Sequence, residues 1–284
     1  MSTRADAGRP AAVAKRAKGA DGPAAAKGAR AARPKSAQTA GPKPAPMSVT
    51  VLVPAAGSGS RMGGRVKKQF LLLDGLPVLA HTLRRFEDMP EVCEVIPVVP
   101  EAEMEECLEM CVDSQGLRKV RRVVPGGRER QDSVRNGLMA MEPPGGWVMV
   151  HDGVRPFVTR EMVSALILAL DGCDGAVLAV PAKDTLKEVG TDRLVRKTLD
   201  RRLLWHVQTP QAFPYRVIAE AFRKAYADGF YGTDEASLVE RCGGSVRVVA
   251  GSYANIKITT PEDMILAEAI LARLRGAEAA GKAG

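Results

Sequence analysis

The run from Val51 to Phe70, VLVPAAGSGSRMGGRVKKQF, constrains this chain more than any other stretch, because it joins a short apolar strand to a loop without bulk. Val51, Leu52 and Val53 favour a pleated, buried strand. Pro54-Ala55-Ala56-Gly57-Ser58-Gly59-Ser60 then gives seven residues with no side chain longer than three carbons. A loop of that kind lets phosphate oxygens come close to backbone N–H groups. Arg61 and Lys68 follow, two cations that stay charged beside a polyphosphate. The spacing matches neither common glycine signature: GxxxxGK[ST] is absent, and Met62 stands where a dinucleotide loop has its third glycine. The chemistry is that of a nucleoside triphosphate site.

From Ser48 onward, short β-rich runs alternate with helical ones, which predicts a three-layer α/β/α, Rossmann-like domain around a mostly parallel sheet. Val78, Leu79, Thr82, Leu83 and Phe86 recur at helical spacing. Strands are expected at 92–99, 120–124, 147–150, 175–180 and 246–249, with 256–258 extended, and helices at 101–112, 130–141, 159–170, 216–228 and 234–241. Thr260 and Pro261 open a final helix as N-cap and first-turn residue. Trp147–Val150 delivers His151 and Asp152 at its carboxyl end, the edge of a parallel sheet where ligands bind. Residues 183–204 break the pattern: two polar runs flank a Gly190-Thr191-Asp192 turn, as in a protruding β-hairpin arm. An isolated hairpin is marginal in water, so this arm needs something to pack on, and a second subunit is the natural candidate.

Charge is placed unevenly. Residues 1–47 hold ten Lys or Arg and two Asp or Glu, so the formal net charge of +8 belongs to that tail and residues 48–284 are neutral. The tail, rich in Ala, Pro, Gly, Lys and Arg, cannot bury enough apolar surface to offset ordering entropy, and we read it as disordered. Its alternatives are a tether for nucleic acid or an acidic surface, a solvated extension, or untranslated sequence ahead of a start at Met47. It lacks the apolar core of a secretory signal, and no apolar run reaches membrane-spanning length. Five cysteines without CxxC spacing suit a reducing, cytoplasmic setting. Only three histidines are present, little material for a zinc centre or a Ser-His-Asp relay.

Read as PAAGxGxRM followed by KQF, the first loop resembles the 2-C-methyl-D-erythritol 4-phosphate cytidylyltransferases of the non-mevalonate isoprenoid pathway. Sugar-phosphate and molybdopterin nucleotidylyltransferases carry related loops. Four later segments narrow the resemblance: HDGVRP at 151–156, DTLK at 184–187, WHVQTPQ at 205–211 and NIKIT at 255–259. It covers roughly 48–274 and implies one catalytic domain, without the cyclodiphosphate synthase that some members carry fused to it.

The resemblance implies transfer of CMP from CTP to methylerythritol phosphate with Mg²⁺, by a homodimer. It places Arg61, Lys68 and Lys257 at the reacting phosphates, and Pro54, Ala55, Ala56, Gly57, Ser58, Gly59, Gly127 and Ser133 around the nucleotide. Asp152, Arg155, Thr185, Arg201 and Thr209 fall around the acceptor, with Asp152 near the metal and Thr185 and Arg201 on the arm of the other subunit. Asp152 and Arg155 also read as a structural ion pair, and Ser133 as an ordinary early-helix residue. Gly153-Val154 stands where the family often has Ala-Ala. Two rivals remain at this point: a nucleotidylyltransferase for another phosphorylated polyol, and a nucleic-acid-binding protein that uses its basic tail.

Overall fold

Strand and helix patterns alternate along the chain, and they assemble into a seven-stranded sheet with helices on both faces. A computed structural model describes residues 48–57, 67–142 and 145–282, the last five by backbone alone. The tail at 1–47 and the loop residues Ser58, Gly59 and Arg61 lie outside the described residues.

The first half of the domain comprises β1 (Val49–Pro54), the short strands β2 (Leu72–Leu73) and β3 (Leu76–Pro77), α1 (Val78–Glu87), β4 (Val92–Val99), α2 (Met104–Cys107), β5 (Val124–Pro125), α3 (Arg130–Met139) and β6 (Trp147–Val150). The second half comprises α4 (Arg160–Ala169), β7 (Gly175–Pro181), β8 (Lys187–Val189), β9 (Val195–Thr198), β10 (Trp205–Pro214), α5 (Tyr215–Ala227), α6 (Glu235–Arg241), β11 (Val246–Ala250) and α7 (Pro261–Lys282). The sheet order is β11-β7-β10-β6-β1-β4-β5, and every pairing is parallel except the two made by β10.

Period-two alternation sorts the strand side chains between the two helical layers. Val49, Val51 and Val53 of β1 pack with Leu79, Leu83 and Phe86 of α1 and with Val163 and Leu166 of α4. Leu52 faces the other way, into Val134 and Leu138 of α3 and Ile218 and Phe222 of α5. Burial on both faces is what a mostly parallel sheet requires, at about 1.5–3 kcal/mol for each large apolar side chain fully removed from water. Helix α7 closes a third cluster, in which Ala267 and Leu271 meet Leu73, Val154, Phe157 and Ile258.

Several local expectations need correction. Strand β10 was not foreseen: Gln208, Thr209 and Pro210 argue against a central strand. A bulge resolves the conflict, since Val207 pairs with Ala179 and Gln211 with Val177, leaving Pro210 out of that ladder. The helix read at 101–112 is a composite of 3₁₀, α and π turns. Of the strand read at 120–124, only Val124 joins a ladder, with Pro125, and 256–258 forms no strand. The arm, β8 paired with β9, is less polar than its sequence suggested. Val189, Leu194 and Val195 are half-exposed or more, and Leu203 at the base is 80% exposed.

Candidate active site

Four strand ends, those of β1, β4, β5 and β6, are stitched together by backbone hydrogen bonds where β1 runs into the small-residue loop. Ala55 N donates to Val98 O at 2.7 Å, Gly126 N to Val99 O at 2.7 Å and Gly153 N to Pro54 O at 3.2 Å. A Cβ on Gly126 would sit 2.3 Å from the Cβ of Ala56, and one on Gly153 would sit 2.8 Å from the Cβ of Ala55. Small residues therefore serve a second purpose beyond admitting phosphate: they let neighbouring loops touch. Gly153 is the residue that fits beside Ala55 here. Lys68 sits on a 3₁₀ turn, Lys68–Phe70, and its Nζ lies 3.9 Å from where a Cβ of Gly57 would be.

These loops enclose a cavity of about 340 Å³ whose lining includes Pro54, Ala55, Ala56, Gly57, Lys68, Gly127, Ser133, Asp152 and Lys257. Helix α3 forms one wall and begins with a reciprocal cap, in which the Glu129 side chain accepts from the Asp132 N–H and Glu129 N donates to Asp132 Oδ2 at 2.9 Å. Ser133 is fixed just inside it. Its Oγ accepts from Gly127 N and donates to Glu129 O, both at 3.1 Å, so its one proton is committed while a lone pair remains.

A second cavity, about 320 Å³, adjoins the first and is lined by Arg130, Asp152, Arg155, Thr209, Gln211 and Lys257 among others. Arg130, Asp152 and Lys257 line both. Asp152 is 6% exposed and holds three cations: Arg130 Nε at 3.4 Å on Oδ1, with Arg155 Nε at 3.1 Å and Lys257 Nζ at 3.0 Å on Oδ2. Burial alone would raise its pKa, but Arg130, then Lys257 and Arg155, hold it well below the ordinary carboxylate range. The ion pair read from the sequence exists, as one part of a larger cluster. Both oxygens of Asp152 are occupied, and among the described residues no group of three or more His, Cys, Asp or Glu could hold a metal ion. The carboxylate therefore fits a hydrated cation reached through water.

Lys257 owes its place to its neighbours. Asn255, fully buried, donates from Nδ2 to Thr209 O at 2.9 Å, and Ile258 N donates to Val154 O at 2.9 Å, so the segment is anchored on both sides of the lysine. Arg155 is braced by Asn255 O, which accepts from its Nη1 at 2.8 Å. Thr209 Oγ1 accepts from Asp152 N at 3.0 Å and meets His151 Nδ1 at 3.1 Å.

Thr185 and Arg201 are not brought to either cavity within one chain. Both are exposed on the arm, where Arg201 Nη1 donates to Lys183 O at 2.6 Å. Arg130 and Glu235 had no assigned role in the sequence reading. Glu235 is 2% exposed and takes Arg130 in a two-pronged contact, Nη1 to Oε1 at 2.6 Å and Nη2 to Oε2 at 3.1 Å. The partners are 105 residues apart, and no local spacing links them.

A family model described as 2-C-methyl-D-erythritol 4-phosphate cytidylyltransferase matches residues 49–273. The chain belongs to this family. A cytidylyltransferase of that name from Syntrophus aciditrophicus is 51% identical over 228 residues, 80% of this chain and 97% of the relative. One from Geotalea uraniireducens is 52% identical over 227 residues, 79% of this chain and 97% of the relative. Among solved structures, the 4-diphosphocytidyl-2C-methyl-D-erythritol synthase from Anaerococcus prevotii aligns with a TM-score of 0.70 at 34% identity, covering 80% of this chain and 99% of that one. The cytidylyltransferase from Thermus thermophilus aligns with a TM-score of 0.65 at 35% identity, covering 80% of this chain and all of that one.

Proposed function

We propose that this protein transfers CMP from CTP to 2-C-methyl-D-erythritol 4-phosphate, releasing pyrophosphate. The observation that carries the reading is the sharing of Asp152, Arg130 and Lys257 by two adjoining cavities, with the small-residue loop on one side only. CTP occupies the first cavity and the acceptor the second. An ionised oxygen of the acceptor phosphate attacks the α-phosphorus, a new P–O bond forms, and the bond from the α-phosphorus to the β-bridging oxygen breaks. That oxygen is already anionic near neutral pH, so no general base is required.

Catalysis of such a step is positioning and charge stabilisation. Lys68 and Arg61 hold the α-phosphate, and Lys257 spans both substrates. Pro54, Ala55, Ala56, Gly57, Ser58 and Gly59 supply the phosphate loop. Ser133 and Gly127 meet the base, and since the proton of Ser133 is committed, its hydroxyl accepts. The amino group of cytosine donates at the position where uracil presents an acceptor. Asp152, Arg155 and Thr209 frame the acceptor substrate. Asp152 is the residue that would hold a hydrated Mg²⁺ beside the triphosphate, and the ion would supply neutralising charge there.

The arm completes the site across a two-fold axis in a homodimer, bringing Thr185 and Arg201 to the partner's acceptor. Half-exposed valines on β8 and β9 support a buried role for the arm in the assembly. A cytoplasmic location is supported by the five free thiols, two of them, Cys107 and Cys111, buried close together and unpaired. Among the described residues no helix is long and apolar enough to cross a membrane. Purified protein assayed for pyrophosphate release with each of the four nucleoside triphosphates, against methylerythritol phosphate and other polyol phosphates, tests the reading. Release with another acceptor and none with methylerythritol phosphate would overturn it.

A further inference from the structure

Arg130 is the first residue of α3 and Glu235 the first of α6, and their contact ties the walls of both cavities together. The placement of Arg130 makes poor sense for stability alone. A cation at a helix N-terminus opposes the helix dipole, and a buried ion pair returns little once desolvation is counted. Glu235 is held in place from behind: Gln211 on β10 donates from Nε2 to Asp234 Oδ2 at 2.8 Å and accepts from Ala236 N at 3.1 Å, so one amide grips the start of α6 through both of its ends. With both terminal nitrogens of Arg130 turned toward Glu235, only Nε faces Asp152 Oδ1, which leaves Oδ2 to Arg155 and Lys257.

We propose that Arg130 and Glu235 are a positioning pair: Glu235 sets the orientation of Arg130, Arg130 sets the rotation of the Asp152 carboxylate, and that carboxylate holds the Lys257 ammonium between the two substrates. The inference rests on the reading of Lys257 as a phosphate-contacting group. Without Glu235, Arg130 would turn both ends of its fork on Asp152 and compete with Lys257 for it. Three cations and two carboxylates make up the cluster, and removing the charge of Glu235 raises its excess of positive charge.

The test is steady-state kinetics and CTP binding for Glu235→Gln and Arg130→Lys, each made in the wild type and in Asp152→Asn, with melting temperatures alongside. In the wild-type background kcat should fall roughly tenfold to a hundredfold, the loss expected for misplacing a phosphate ligand by about 1 Å, while CTP affinity changes less than about threefold. In the Asp152→Asn background the same substitutions should leave kcat within about twofold, although any loss of melting temperature persists. A folded Arg130→Lys or Glu235→Gln protein with normal kcat overturns the inference, as does an undiminished effect in Asp152→Asn. If Glu235→Gln fails to fold, Arg130→Lys carries the comparison. Should the wild type prove inactive with CTP and methylerythritol phosphate, the functional reading fails, and crystal structures of Arg130→Lys and Glu235→Gln decide the positioning role separately. Loss of the 3.0 Å contact between Lys257 and Asp152 in either variant supports the pair, and its retention in both overturns it.

Discussion

Thr209 gives its hydroxyl proton to His151. His151 Nε2 lies 2.9 Å from Arg155 O, a carbonyl that only accepts, so Nε2 carries the hydrogen, and in the neutral ring that burial favours Nδ1 accepts from Thr209 at 3.1 Å. The remaining lone pairs of Thr209 take the Asp152 N–H. The histidine beside the most heavily charged residue of the site is thus a neutral brace.

Burial pushes the His151 pKa down to about 4, against the hydrogen bond to Arg155 that favours its charge. The unfolded chain takes up this proton first, so stability should fall as pH drops from about 6.5 towards 4, by up to about 3 kcal/mol from this group. Denaturant midpoints measured at about pH 7 and about pH 4.5 should separate in the wild type and draw together in a folded His151→Asn variant. Equal separation in both proteins would assign the acid sensitivity elsewhere.

Asp152 acts in the same sense but in a lower pH window. Its pKa is lowered despite burial, so its contribution to stability is complete above the ordinary carboxylate range and is lost progressively as pH falls through and below that range. The acid limb of kcat between about pH 5 and 8 should therefore be free of Asp152, and Asp152→Asn should lower the whole profile without shifting its midpoints. A shifted acid limb in that variant would show that Asp152 titrates during turnover.

Base selectivity should rest in part on Ser133. Ser133→Ala removes the acceptor for the cytosine amino group and also loosens Gly127, so the preference for CTP over UTP in kcat/KM should shrink by about tenfold. An unchanged ratio would remove Ser133 from base selection.

The arm offers a test by complementation. Lys68→Ala and Arg201→Ala proteins, each nearly inactive, should recover about a quarter of wild-type activity when mixed and allowed to exchange, because half of the dimers are mixed and one of their two sites is intact. Demonstrated exchange with no recovery would place Arg201 outside the partner's site.

How far the sequence reaches differs from residue to residue. Asp152 was readable because WVMV is an unambiguous buried strand and its carboxyl end is a ligand edge. Lys257 was readable only through the NIKIT motif, since 256–258 forms no strand and its anchors, Asn255 Nδ2 on Thr209 and Ile258 N on Val154, are tertiary. Arg130 and Glu235 were invisible as a pair because charge pairing across 105 residues leaves no periodicity. β10 hid behind Pro210, whose misfit the bulge absorbs. The arm was legible as a hairpin from its turn, but its apolar content was underestimated because Val189 and Val195 each stand beside charged residues, Glu188 and Arg196.

At the base of that arm, Trp205 pairs with Pro181, and Ala182 N donates to Leu204 O at 2.9 Å. The two ends of the 183–204 excursion are therefore already clasped before it departs. Whatever length the excursion takes, its closure cost falls on the last few pairs of the β7–β10 ladder and not on the centre of the sheet. A short turn spliced from Ala182 to Leu204 should therefore leave the sheet intact.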